Sequence, residues 1–202
     1  MNKYLIELVG TFLLTTVISF SGVPLAVGAI LIGLVYMGGA ISGGHYNPAV
    51  TFAVWVRGAI SFTDMQMYML FQLVGGLTAS LLYAIVHEQF FIVSPKASFV
   101  PSFIMELVGA GALAFVVLHV ATSKHTKGNQ YFGLAIGTTL LAFGYAGADI
   151  SGSVYNPAVA LGSILFNIIT IGTVLPSAIL YTVAPLVGGL AAGKLFLLTT
   201  KE

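Results

Sequence analysis

Cysteine is absent from this chain and charge is nearly so: none of its 202 residues is Cys, and Asp, Glu, Lys and Arg together make up 6%. The first absence excludes disulfides, thiolate chemistry and Cys-ligated metals. The second excludes a water-facing surface, because a soluble domain is about one quarter charged. The chain therefore reads as an integral membrane protein in a lipid bilayer, one bundle with no separate soluble domain. No basic block is present, so nucleic acid is not a partner. No spacing among the four histidines suggests a metal site, and no cofactor motif appears.

What is abundant is apolar sequence, at 58%. A transmembrane helix needs about 20 apolar residues. Six stretches are candidates: Tyr4–Phe20, Leu25–Ile41, Met65–Val86, Pro101–Ala121, Tyr131–Ala148 and Thr173–Thr199. Tyr4–Phe20 has one Lys before it, Glu7 within it and no cleavage-like boundary, so it reads as a retained span and not a signal peptide. Two further pieces, Asn47–Arg57 and Asn156–Asn167, are too short to cross. At about 1.5 Å per residue they cover roughly half of a ~30 Å core, and read as half-spans.

The two halves of the chain match. Glu7-Leu-Val-Gly pairs with Glu106-Leu-Val-Gly, Tyr46-Asn-Pro-Ala-Val with Tyr155-Asn-Pro-Ala-Val, and Leu73-Val-Gly-Gly-Leu with Leu186-Val-Gly-Gly-Leu. Each half, about 1–90 and 101–202, holds three spans and one half-span. Three is odd, so the second half enters from the opposite face and the repeats are inverted. With both termini cytoplasmic, all seven Lys and Arg residues except Lys96 fall on the inner side, as the positive-inside rule requires. The fold class expected is an all-α membrane protein of six transmembrane helices plus two re-entrant half-helices.

Asn is a strong N-cap and Pro is favoured at the first helical position. Asn47-Pro48-Ala49 and Asn156-Pro157-Ala158 therefore read as helix starts, meeting near the midplane with positive dipole ends and amide donors. The backbone before each cap, Gly43-Gly44-His45 and Gly152-Ser153-Val154, offers carbonyl acceptors along a pore. Such irregular backbone is tolerated at this depth only where protein buries it or water lines it. A passive pore for water and small neutral solutes follows, without an enzymatic step. A second reading is an ion- or proton-coupled secondary transporter, since that class also uses inverted repeats and broken helices.

The duplicated Asn-Pro-Ala motifs, each behind a Ser-Gly segment and inside a three-span repeat, resemble those of the aquaporin, or major intrinsic protein, family, and the resemblance covers almost the whole chain. It implies a right-handed bundle, a homotetramer with one pore per subunit, and passage of water, glycerol or similar solutes. A plasma (inner) membrane location goes with it. The family's extracellular constriction carries over by spacing to Val27, Gly144, Ser153 and Val159. Val159 stands where most relatives have arginine, and Ser153 where mercury-sensitive relatives have cysteine. This implies a wider, uncharged opening that admits glycerol, urea, hydrogen peroxide or undissociated metalloid acids. Glu7 and Glu106, costly inside spans, are expected to brace the loops through backbone N–H groups. His45 is expected to brace its own loop, with pH gating as the sharper alternative.

Other expectations are plainer. Gly33, Gly75, Gly76, Gly109, Gly137, Gly188 and Gly189 fit close helix crossings. Trp55, Tyr68 and Tyr83 are candidate interface anchors. Asp149 is expected to cap or brace loop backbone.

Overall fold

A computed structural model describes residues 2–171 and 175–200. Thr173 and Val174, at the start of the last expected span, and Lys201 lie outside the described residues. The described chain is helical: α1 (Asn2–Ser21), α2 (Pro24–Gly38), α3 (Pro48–Val56), α4 (Phe62–His87), α5 (Phe99–Val117), α6 (Phe132–Gly147), α7 (Pro157–Ile171) and α8 (Leu175–Thr199). A π-helical turn, Leu118–Thr122, ends α5. Among the described residues, four helices are long and apolar enough to cross a membrane unaided, those around α1, α4, α5 and α8.

The other two expected spans are shorter. α2 has 15 residues and α6 has 16, about 22–24 Å at the helical rise. Each stops because the chain turns at Gly38 or Gly147, whose carbonyls accept from Ser42 N (2.9 Å) and Ser151 N (3.0 Å), and then runs inward as non-helical backbone. α3 matches the expected half-span. α7 continues past Asn167 to Ile171, since nothing in Ile168–Ile171 breaks a helix.

The helices pack in pairs drawn from corresponding places: α1 on α4, α5 on α8, and α2 on α6. The half-helices then cross over, α3 packing on α8 and α7 on α4, so each half of the chain holds the other's re-entrant segment. Glycine makes these approaches possible. A Cβ at Gly76 would strike the backbone of Ala158, and one at Gly189 the backbone of Ala49. A small residue lets backbones touch where packing is the main attraction between helices. Two glycines depart from the expectation: Gly109 faces the ring of Tyr155 and not another helix, and Gly33 is exposed, with nothing for a Cβ to meet within the subunit.

Two tyrosines lock the loops against these helices. The ring of Tyr46 fills the space over Gly10 and Gly38, and its hydroxyl donates to Leu34 O (2.8 Å). Tyr155 repeats this over Gly109 and Gly147, donating to Phe143 O (2.9 Å). Both rings are fully buried. Tyr68 is also a buried brace rather than an interface anchor, because its hydroxyl donates to Ser42 O at 2.8 Å.

Gly109→Ala is expected to displace Tyr155 and destabilise the fold by about 1–3 kcal/mol, the usual cost of overpacking, whereas Gly33→Ala leaves subunit stability within about 0.5 kcal/mol. Thermal unfolding of both variants in detergent checks this.

Candidate functional site

The site is built from backbone that L-residues rarely adopt. Gly43, Gly44 and Tyr46 in one loop, and Gly152, Ser153 and Tyr155 in the other, have φ between 49° and 93°. Glycine is neutral there, but Tyr46, Ser153 and Tyr155 are strained. This turns consecutive N–H groups away from the lumen and towards a carboxylate. Glu7 Oε1 accepts from Ser42 Oγ (2.6 Å) and His45 N (3.0 Å), and its Oε2 accepts from Tyr46 N (2.7 Å) and Gln72 Nε2 (2.8 Å). Glu106 accepts from Ser151 Oγ (2.7 Å), Val154 N (2.9 Å) and Tyr155 N (2.6 Å).

Where the loops meet, the two asparagines exchange bonds. Asn47 Nδ2 donates to Tyr155 O and Asn156 Nδ2 to Tyr46 O, both at 2.9 Å. Each Oδ1 caps its own half-helix, accepting from Ala49 N (2.9 Å) and Ala158 N (3.0 Å). An amide nitrogen carries two hydrogens, and the opposite loop uses one. The second N–H of each side chain is left for whatever occupies the lumen. Both asparagines line a narrow central cavity of about 10 Å³ together with His45 and Val154, roughly the space of one water.

The facing wall of that cavity is apolar, formed by Leu14 and Leu113 and by Leu31 and Leu140. These are matched positions of the two halves. Aligning the repeats would have found them, but no motif marks them. Pro48, Ala49, Pro157 and Ala158 stand behind the asparagines, outside the cavity lining, with Ala49 and Ala158 fully buried.

Two larger cavities form mouths on either side of the loops, and the first shares Ile18, Leu140 and Val154 with the central cavity. The mouth remote from the termini holds about 320 Å³ and is lined by Val27, Gly144, Ser153 and Val159 together with Gly152 and Val154. The structure adds residues that the sequence did not mark: Phe91, Val93, Ser94 and Lys96 of the α4–α5 loop. That loop is pinned by Val93 N donating to Ser163 Oγ (2.8 Å) and by Ala97 N donating to Ile150 O (2.9 Å). The opposite mouth, about 710 Å³, includes Gly43. Gly44 lines none of these cavities; it is buried, and a Cβ there would press on Val35. Asp149 does not cap backbone either, since its exposed carboxylate pairs with Lys96 Nζ at 2.9 Å.

The halves differ in the polar partners around the first loop. His45 Nδ1 lies 3.1 Å from Thr51 Oγ1, which accepts from Gln72 Nε2 at 2.8 Å. The corresponding residues of the second half are Val154, Ala160 and Pro185, none of which has a side-chain donor. Beside the two asparagines, the polar side chain of the central cavity is therefore His45.

Glu106→Ala would strand three buried donors, each costing about 1–3 kcal/mol. A large loss of thermal stability in detergent is expected. The selectivity of whatever protein still folds should be unchanged in proteoliposome permeability ratios.

Comparison with known proteins agrees with this architecture. The family model for Major intrinsic protein matches residues 1–196. Nodulin-26 of Glycine max is 31% identical over 97% of this chain and 77% of its own length. Aquaporin NIP1-1 of Zea mays is 34% identical over 86% of this chain, which spans 61% of that relative. A glycerol uptake facilitator protein-like 6 of Lactiplantibacillus plantarum is 33% identical over 95% of both chains. The aquaglyceroporin structure from Plasmodium falciparum superposes with a TM-score of 0.79, covering 96% of this chain and 94% of that one at 20% identity. A lumen built on two half-helix starts, a family match along nearly the whole chain and this shared fold lead to one assignment: the chain is an integral membrane protein of the major intrinsic protein family.

Proposed function

We propose that this channel conducts water and neutral solutes larger than water, with glycerol, urea, hydrogen peroxide and undissociated metalloid acids as the class. The observation that carries the reading is the mouth remote from the termini. Val27, Gly144, Ser153 and Val159 all line it, and none is aromatic or charged. Val159 is fully buried in the wall, so no side chain reaches across the mouth from that position. Ser153 Oγ is occupied as a donor to Gly144 O at 2.9 Å. These four positions therefore offer solutes apolar contact, and the central amides offer hydrogen bonds. A relative named as a glycerol uptake facilitator and a fold shared with an aquaglyceroporin fit the same solute class.

Gly144 has a second role. A Cβ there would press on Pro24, so its smallness also serves the packing of α6 beside α2. In this reading Asn47, Pro48, Ala49, Asn156, Pro157 and Ala158 form the central selectivity point, and residues 1–202 form one channel domain of two inverted repeats. Four subunits assemble in the plasma (inner) membrane with termini in the cytoplasm, and no enzymatic step is involved. Passive flux is favoured over coupled transport because the central lining offers amides, aliphatic groups and one imidazole, and no carboxylate.

Stopped-flow light scattering on proteoliposomes tests this. Fast shrinkage followed by fast reswelling in a glycerol gradient is expected, while shrinkage without reswelling for glycerol or any other member of the class overturns it. Val159→Arg should place a long cation across the mouth. It is expected to cut glycerol flux about tenfold or more, a barrier change of about 1.4 kcal/mol, with a smaller loss of water flux.

With no cysteine in the chain, mercurials should give no thiol-reversible block. Ser153→Cys is expected to create one, and the same light-scattering assay with and without added thiol reads it.

A further inference from the structure

We infer that Lys96, carried into the mouth remote from the termini by the α4–α5 loop, is the positive charge of that mouth and supplies there the exclusion of cations that Val159 does not. The inference rests on the channel reading above and adds to it a specificity-determining residue.

Lys96 lines the same 320 Å³ mouth as Val27, Gly144, Ser153 and Val159, and is the one charged side chain among the lining residues. Its place is fixed by backbone, not by its own side chain: Lys96 N donates to Ile150 O at 3.0 Å, and Ala97 N to the same carbonyl at 2.9 Å. That carbonyl also accepts from Ser102 Oγ at 3.1 Å. The loop is thus tied to the turn that leads into the second re-entrant segment. The backbone of Lys96 is thereby held beside the entrance.

The partner of Lys96 is Asp149, with Nζ and Oδ1 2.9 Å apart. Asp149 is not among the lining residues, and its side chain is 93% exposed against 60% for Lys96. Lys96 therefore belongs to the mouth lining, while its counter-charge Asp149 lies outside that lining in solvent. A fixed charge at a narrow entrance sets the local concentration of mobile ions and leaves neutral solutes untouched. Such a field is screened beyond about 8 Å at physiological ionic strength.

The test is potassium efflux per channel from proteoliposomes of the full chain, read with a potassium electrode for wild type, Lys96→Gln and Lys96→Arg at low and high salt. Water shrinkage and glycerol reswelling are recorded on the same vesicles. Lys96→Gln is expected to raise efflux at least about threefold at low salt, as removal of a unit charge a few ångström away in water should. The gain should shrink at high salt, and Lys96→Arg should match wild type. Unchanged efflux for Lys96→Gln at low salt, or an equal rise for Lys96→Arg, overturns the assignment. Failure of wild-type vesicles to reswell in glycerol would instead count against the solute reading and leave the efflux comparison intact.

Discussion

Everything in the lumen depends on two carboxylates that hold unfavourable backbone in place. Left-handed tyrosines and a left-handed serine cost about 1–3 kcal/mol each, and loops at membrane depth have no water to satisfy their N–H groups. Glu7 and Glu106 answer both problems together, since each collects N–H and O–H donors from its loop. A donor stranded without them would cost a further 1–3 kcal/mol or so. The loops stay in this conformation because leaving it would unpair several buried groups at once. The tyrosine rings complete the hold by filling the space above four glycines.

From that anchoring the central geometry follows. With the loops fixed, the half-helices start opposite each other and each asparagine is bound on both sides, capping its own helix and donating to the other loop. Neither amide can rotate without losing a bond in each half, so the free N–H of each keeps its direction. The leucines opposite supply no competing partner. An occupant of the centre meets donors on one side and hydrocarbon on the other, which suits single neutral molecules and disfavours cations near two positive dipole ends.

Symmetry builds the frame, and departures from it give the pore its character. The glycines, glutamates and tyrosines of the two halves make matching contacts. His45, Thr51 and Gln72 have no polar counterparts in the second half, and the α4–α5 loop has no repeat partner. The chemistry specific to this chain therefore sits at His45 on one side of the centre and in the loop-lined mouth on the other.

Composition and pattern by themselves determined that the chain lives in a membrane, that it is helical and duplicated, and where its helices run. Those properties follow from hydropathy and from residue types with strong local preferences, such as Asn-Pro at a helix start. Local preference could not say that α2 and α6 stop early, because their ends are set by turns at Gly38 and Gly147. Nor could it place Gly33 on an open face, or turn Asp149 from the backbone towards Lys96. Tertiary structure alone brought Leu14, Leu31, Leu113 and Leu140 to one wall, and Phe91, Val93 and Lys96 into one mouth. The reason is physical: a pore lining is drawn from residues distant in sequence, and an irregular loop takes its path from the surfaces that it packs on, which a linear pattern does not encode.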